Sequence, residues 1–290
     1  MAEKNMSEQN GRTYGRNRKQ PGRESAKDGS GNAKTCRESA RDFREPSPDR
    51  LEGRNSVLEA YRAGRTVDKL FVQEALKDGP VRTILREAQK QGTIVSFVKK
   101  ERLDQMSETG MHQGVIAYAA AFAYAEVADI LKKAHDADEP PFIFLLDGIE
   151  DPHNLGAIIR TANLAGAHGV IISKHRAAGL TSAAVRASAG AVHHTPVAKV
   201  SNLVQTVEQL KEQEIWFVCA DMSGTVMYDL DLKGPIGLVV GSEGEGVSRL
   251  LREKCDFTAA IPMKGNIDSL NASVAAGVLA YEIVRQRMKC

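Results

Sequence analysis

Five polar residues of the C-terminal half have side chains that together could align a polar substrate and help to move a proton. They are Asn154, Arg160, Glu243, Ser269 and Asn271. Each also has a simpler interpretation, since Asn154 alone could cap a helix and Arg160 alone could form a surface ion pair. The six-residue separation of Asn154 and Arg160 lets them face one cleft only if the turn bends back.

Glu243 lies in a glycine-rich loop, residues 241–248, that follows the apolar residues 236–240. The glycine spacing is G-x-x-G-x-G, whereas a dinucleotide-binding turn has G-x-G-x-x-G and is the first strand-to-helix turn of its domain. The loop also lacks the lysine of a phosphate-binding P-loop. Its glycines instead provide a backbone that can pass close to a ligand or to another segment.

Residues 261–271 combine a strand end, a turn with proline and glycine, and the start of a helix. Either Ser269 or Asn271 is placed to cap that helix. Alanine and glycine occupy most faces beyond this point, so another backbone could pack closely there. Because glycine inside a helix costs about 1 kcal/mol relative to alanine, we expect a packing reason for Gly277.

Predicted strands and helices alternate from residue 142 onward. The strands are 142–146, 169–173, 195–199, 215–220 and 236–240, and the helices are 157–165, 181–189 and 203–213. This alternation predicts an α/β fold with a parallel sheet, whose binding site lies at the carboxyl ends of the strands. Residues 142–290 are therefore predicted to form a second, larger domain.

A smaller α/β domain is predicted for residues 50–121, with helices at 55–63 and 81–91 and strands at 69–73, 94–98 and 113–120. Arg54 and Asn55 flank its first helix start, a position suited to binding an RNA phosphate, although a plain capping turn would look the same. Charged residues and two prolines interrupt the periodicity at 122–141, which predicts a linker that contains a short amphipathic helix.

Residues 1–49 contain almost no aliphatic side chains and are predicted to be a disordered tail. The first 50 residues hold 12 basic and eight acidic residues, although the net charge of the chain is only +2. The arginines and lysines among the glycines could contact phosphates without specificity, but a solubilising tail would explain them equally well.

Four cysteines and seven histidines are present without the spacing of a metal site, and unpaired thiols are typical of a reducing compartment. No apolar run approaches the roughly 18 residues of a membrane span, and the N-terminus is too polar for a secretory signal. These features predict a cytoplasmic protein with no metal and no membrane partner.

Taken in order, the three loops resemble the motifs of the SpoU, or TrmH-like, RNA ribose 2′-O-methyltransferases of the SPOUT superfamily. Residues 151–162 resemble the first motif, 241–246 the second, and 261–263 with 269–273 the third. The domain at 50–121 resembles the ribosomal-protein-L30e-like substrate domain of one branch. This pairing is similar to the bacterial enzymes that methylate a guanosine of 23S rRNA.

The resemblance implies a deep trefoil knot, a homodimer that buries part of the last helix, and S-adenosylmethionine as the cofactor. It implies that the cofactor is held by the backbone at Gly241, Ile261 and Leu270. Glu243, Ser269 and Asn271 are implied to shape the cleft at the reacting groups.

In the same resemblance, Asn154 and Arg160 contact the RNA. The arginine that matches Arg160 is the base proposed for the family, yet arginine stays protonated in nearly all proteins, so both a base and an electrostatic orienter stay open. A reaction that needs the 2′-hydroxyl also explains selectivity for RNA over DNA.

The sequence therefore predicts an S-adenosylmethionine-dependent methyltransferase acting on a guanosine ribose of 23S rRNA or its precursor. A tRNA ribose methyltransferase of the same family is one alternative. A catalytically silent rRNA-binding factor for ribosome assembly is another, since the smaller domain and the basic tail could bind RNA without chemistry.

Overall fold

The computed structural model describes residues 49–76, 78–266 and 269–288, so the predicted tail lies outside these ranges apart from Asp49. The described residues form two sheets, of four and six strands. None of their helices is long and apolar enough to cross a membrane. They also contain no group of three or more His, Cys, Asp or Glu side chains placed to hold a metal ion.

The smaller domain is built on the four-stranded sheet. Its elements are β1 (Arg50–Glu52), α1 (Arg54–Arg62), β2 (Val67–Gln73), α2 (Gly79–Gln91), β3 (Ile94–Val98), α3 (Lys100–Met106) and β4 (Val115–Ala119). The strand order is β1-β4-β2-β3, in which only β2 and β3 run parallel to each other. Local sequence sets the ends of α2, because Asp78 accepts a hydrogen bond from the Val81 N–H and Gly92 adopts a φ of 63°.

The larger domain is built on the six-stranded sheet. Its elements are α4 (Val127–Asp136), β5 (Phe142–Asp147), α5 (Pro152–Leu164), β6 (Gly169–Ser173), α6 (Ser182–Ala187), β7 (Val197–Val200), α7 (Leu203–Lys211), β8 (Trp216–Val226), β9 (Ile236–Gly241), α8 (Arg249–Lys254), β10 (Phe257–Ala260) and α9 (Ala272–Arg287). The strand order is β10-β8-β9-β5-β6-β7, and every neighbouring pair is parallel. The loops after β5, β9 and β10 therefore leave the same edge of the sheet.

Helices cover both faces of this sheet. On one face α5 and α9 bury Ile159 and Leu279, and on the other face α7 buries Val207 and Leu210. Strands β5 and β9 are consequently buried along almost their whole length. This explains the continuous apolar runs that predicted them, because a strand covered on both faces has no polar side.

Residues 122–141, predicted as a linker, contain the whole of α4. Ile130 on this helix is fully buried in the core that also contains the α7 residues. The chain before the helix is held too, because the Ala125 N–H donates a hydrogen bond to Val197 O at 2.9 Å. Most of this segment therefore packs on the sheet of the larger domain.

Two predicted boundaries differ from the structure by five residues or more. Helix α5 begins at Pro152 and not at residue 157, because the Asp151 carboxylate caps it by accepting hydrogen bonds from the N–H groups of His153 and Asn154. Strand β8 continues to Val226, since β10 pairs with its second half as well as its first. The sequence interpretation also missed β1, α3 and α8.

Close packing between helices occurs at Gly156 and not at Gly277. A Cβ atom at Gly156 would lie 2.4 Å from Ala184 O and 2.5 Å from Ala187 Cβ, so α5 and α6 touch through this glycine. A Cβ atom at Gly277 would meet Thr161 Cγ2 at 3.7 Å, an ordinary contact. The packing reason expected for Gly277 is therefore absent from the described part of a single chain.

Candidate active site

The loop after β9 is fastened beside the end of β5. These strands are neighbours, with Asp147 opposite Gly241, and Asp147 Oδ2 accepts a hydrogen bond from the Ser248 N–H at 2.8 Å. The loop also folds back over the strand end, because a Cβ at Gly241 would lie 2.0 Å from the Gly246 carbonyl carbon. Glycine at position 241 is thus required by the loop itself, as only glycine permits such a close approach.

Three predicted site residues form one hydrogen-bonded cluster at this edge. Asn154 Nδ2 donates to Glu243 Oε1 at 2.9 Å, and Asn271 Nδ2 donates to Asn154 Oδ1 at 3.0 Å. Asn271 Nδ2 also donates to Glu243 Oε1, and the Ala272 N–H reaches the same oxygen at 3.4 Å. The cluster joins the start of α5, the loop after β9 and the start of α9.

Helix capping decides which atoms of the cluster can meet a substrate. Asn271, one of the two residues expected to cap α9, accepts hydrogen bonds at Oδ1 from the N–H groups of Ser273 and Val274. Asp151 caps α5, which leaves the Asn154 side chain available to the cluster. Within the described ranges, Glu243 uses only Oε1 in these bonds, so Oε2 is available to a ligand.

A cavity adjoins the cluster between the middle of β8 and the segments that follow β9 and β10. Its lining contains all three residues expected to hold the cofactor and two of those expected at the reacting groups, namely Gly241, Ile261, Leu270, Glu243 and Ser269. The structure therefore places five of the eight residues predicted for cofactor and catalysis in the wall of one cavity. Asn154 and Asn271 reach it through Glu243.

The lining of this cavity fits S-adenosylmethionine. Val240, Ile261 and Leu270 provide apolar surface for an adenine ring, while Asp221 and Glu245 join Glu243 as carboxylates that match a positively charged sulfonium and ammonium. Hydrogen bonds from Ser223 and Arg252 lower the pKa of Asp221. Asp221 consequently stays anionic at neutral pH.

Arg160 does not join the cluster. At about 100° per residue, six residues place it about 240° around α5 from Asn154. It is exposed, does not line the cofactor cavity, and forms no hydrogen bond or ion pair with the residues that the structure describes. One chain alone therefore does not bring Asn154 and Arg160 into one cleft.

Arg54 and Asn55, predicted to bind RNA, differ in availability. The Arg54 guanidinium pairs with Asp78 at 2.7 Å and donates to Gln113 O at 3.0 Å, so it ties α1 to neighbouring segments. Asn55 is exposed at the start of α1. Their contact with RNA stays a prediction, with Asn55 the more accessible of the two.

Two residues at the carboxyl edge were not singled out from the sequence. Asp221 lines the cofactor cavity, and Arg176 lines a second cavity beside it. Arg176 follows β6 by three residues, and Asp221 lies within β8, one residue after the predicted end of that strand. Looking for polar residues directly after every strand, and not only within glycine-rich or motif-like loops, would have found both.

Comparison with known proteins agrees with this geometry. The profile of the SpoU rRNA Methylase family matches residues 141–281, and the profile described as RNA 2′-O ribose methyltransferase substrate binding matches residues 50–125. The YacO protein of Bacillus subtilis, which carries the name of a TrmH family tRNA/rRNA methyltransferase, is 48% identical over 240 residues, or 82% of this chain and 96% of YacO.

A relative from Staphylococcus saprophyticus with the same family name is 44% identical over 82% of this chain and 95% of its own length. Among solved structures, the SpoU methyltransferase AviRb from Streptomyces viridochromogenes, in complex with the cofactor AdoMet, aligns with a TM-score of 0.54 and 28% identity. The alignment covers 83% of this chain and 91% of AviRb.

Proposed function

This chain belongs to the SpoU family of S-adenosylmethionine-dependent RNA 2′-O-methyltransferases, and from that premise we propose that it methylates a guanosine ribose of 23S rRNA. The observation that carries the proposal is the cluster of Asn154, Glu243 and Asn271 beside the cofactor cavity. Polar groups fixed at that position can align a ribose hydroxyl with the cofactor. The substrate-binding domain supports a large, folded RNA as the partner.

The chemistry is a displacement at carbon. S-adenosylmethionine supplies a methyl group on a positively charged sulfur. The ribose 2′-oxygen would form a bond to the methyl carbon as the carbon–sulfur bond breaks and its electron pair stays on sulfur, and the hydroxyl proton would pass to water by way of Glu243 Oε2. Asn154 and Asn271 hold Glu243 so that its Oε2 can accept a hydrogen bond from the attacking hydroxyl.

We propose that Arg160 serves the active site of a second copy in a homodimer. Arg160 and Leu164 lie one turn apart on α5, and Leu164 is 65% exposed. Helix α9 packs beside α5 and leaves Val274 and Tyr281 about half exposed. An apolar stripe of this kind is typical of an interface. The proposal gives Arg160 an electrostatic role toward RNA bound by the partner.

We also propose the trefoil knot and a cytoplasmic location. The knot is supported by the position of α9, whose buried side chains pack in the same core as those of α5 and β9. A chain trace from a crystal structure would test it. The location is supported by the RNA substrate and by the free thiols of Cys219 and Cys255.

The central experiment measures methyl transfer to 23S rRNA and to tRNA, with 2′-O-methyl positions mapped afterwards. Asn154→Ala and Arg160→Ala should each lower the rate by about 100-fold or more, because Asn154 positions Glu243 and Arg160 acts on the bound RNA. Calorimetry should find binding of S-adenosylhomocysteine little changed. Lys132→Ala, which removes an exposed charge near the amino ends of the strands, should behave like the wild type.

Mixing the two inactive variants tests the dimer. In a heterodimer of one Arg160→Ala and one Asn154→Ala copy, one site regains both groups if Arg160 acts across the interface. Random mixing should then restore about a quarter of the wild-type rate. No recovery would place Arg160 in its own chain's site, and transfer to tRNA alone would refute the rRNA assignment.

A further inference from the structure

A second cavity lies against the cofactor cavity and contains a single cationic residue. Its volume is about 550 Å³, within the range of about 300–1,000 Å³ typical of ligand pockets. The two cavities share the loop 242–245 and Ala272 as a common wall. A molecule in the second cavity would therefore face the cofactor across Glu243.

Arg176 is that cationic residue, and it lies in the segment between β6 and α6. The rest of the charged lining is acidic, namely Glu150, Asp151, Glu243 and Glu245. Arg176 forms no hydrogen bond or ion pair within the described part of the chain, although these carboxylates line the same cavity. Its φ of 51° lies in the left-handed region, which non-glycine residues rarely adopt and which is enriched at functional sites.

Among the described residues, Arg176 shares its lack of an ion pair with Arg160, whereas two other arginines are held by carboxylates. Arg54 pairs with Asp78, and Arg252 pairs with Asp221 at 2.8 Å. An arginine that has no partner among the described residues, and that lines a cavity beside the proposed site for RNA, has the chemistry of an anion contact. Its planar guanidinium matches two oxygens of a phosphodiester at once.

We propose that Arg176 binds the phosphate next to the reacting ribose and thereby positions the 2′-hydroxyl at Glu243. This inference rests on the proposed function. The cofactor also carries an anion, its carboxylate, but Arg176 does not line the cofactor cavity. Because Arg176 lines the second cavity and not the cofactor cavity, the RNA phosphate is the favoured anion.

The test compares Arg176→Ala and Arg176→Gly with wild type and with Lys132→Ala, in steady-state transfer over a range of salt concentrations. Arg176→Gly removes the guanidinium while favouring the left-handed backbone, so it separates loss of the contact from misfolding. Both Arg176 variants should raise the KM for RNA by about tenfold or more. The slope of log KM for RNA against log salt concentration should decrease by about 0.7–0.9, as expected for one lost phosphate contact.

Binding of S-adenosylhomocysteine distinguishes the two anions. Unchanged cofactor affinity together with the weaker, less salt-dependent RNA binding supports the proposal. Lower cofactor affinity would assign Arg176 to the cofactor carboxylate, and an unchanged KM and salt slope would remove it from the site; either outcome overturns the proposal. If the wild type transfers no methyl group, the proposed function fails, and filter-binding of RNA still tests Arg176 separately.

Discussion

The identity of Asn271 is explained by the two tasks of its amide. Oδ1 accepts the hydrogen bonds that cap α9, while Nδ2 donates to Asn154 and Glu243. An aspartate could cap the helix equally well, but it has no donor and would bring a second carboxylate against Glu243. Asparagine therefore connects helix capping to the positions of Asn154 and Glu243.

Glu243→Gln should separate the charge of Glu243 from its hydrogen bonds. The glutamine carbonyl can still accept from Asn154 and Asn271, so cofactor binding and thermal stability should change little. A hydrogen bond to a charged group contributes about 1 kcal/mol more than one between neutral groups, so the methyl-transfer rate should fall about fivefold. Single-turnover kinetics with saturating RNA measure this rate.

Glu243→Ala is the companion variant, because it removes the acceptor as well as the charge. It should lose transfer and also disturb the loop that lines the cofactor cavity. If Glu243→Gln kept the wild-type rate while Glu243→Ala lost methyl transfer, Glu243 would serve only to hold Asn154 and Asn271 by hydrogen bonds. It would then not act on the ribose.

Residue types pointed to the cluster, but side-chain directions could not be predicted. Asn154 was considered as a helix cap, and the competing carboxylate of Asp151 three residues earlier takes that position. Moving the helix start from residue 157 to Pro152 puts both Asn154 and Arg160 inside α5, where the helical phase separates them. One capping choice thus decides which of the two residues joins Glu243.

Among the elements, strands buried on both faces were the most predictable. Strand β6 has its predicted bounds, and β5 and β9 differ from theirs by one residue, because apolar runs record burial directly. The sequence predicts helix α4 but assigns it to a linker. Pro140 and Pro141 indicate a boundary, but they do not indicate that the segment before them packs on the larger domain. Helix α8 was missed because it is six residues long and mostly charged.

Gly156→Ala tests how tightly α5 and α6 are joined. In a solvent-exposed helix this substitution stabilises the protein by up to about 1 kcal/mol. At Gly156 the new methyl group would overlap Ala184 O and Ala187 Cβ. Overpacking typically costs about 1–3 kcal/mol, so the free energy of unfolding should fall. Urea denaturation followed by circular dichroism measures it.

Gly79→Ala is the matched control, because this helical glycine has nothing within 4 Å of its added Cβ. It should leave stability unchanged or slightly higher. Equal effects of the two substitutions would show that α5 and α6 can move apart without loss of stability. That result would contradict the prediction made from the contact at Gly156.

At the scale of the whole molecule, a buried polar network joins the two domains. Asp68 on β2 pairs with Lys199 on β7 at 2.5 Å, and these side chains are only 9% and 13% exposed. The Tyr124 hydroxyl also donates to Asp68, at 2.9 Å. Burial and the charge of Asp68 raise the pKa of Tyr124, so it stays a donor. The network fixes the orientation of the substrate-binding domain relative to the active site.

Lys199→Met should therefore weaken RNA use from a distance. The variant leaves Asp68 buried without its cation, which typically costs roughly 3–5 kcal/mol. Asp68 packs closely against Gly179, where an added Cβ would lie 2.2 Å from its Oδ2. We expect the domains to separate, with a larger radius of gyration in small-angle scattering and a higher KM for RNA, while S-adenosylhomocysteine binding stays unchanged.

Two companion variants make this last prediction specific. Asp68→Asn combined with Lys199→Met removes both charges and should recover most of the stability, since no buried ion is left unpaired. Lys132→Met removes an exposed pair, in which Lys132 and Asp136 are 71% and 57% exposed, and such pairs contribute about 0–1 kcal/mol. If Lys199→Met lost no more stability than Lys132→Met, other contacts would set the domain orientation, and the RNA would be presented to Glu243 without help from Asp68.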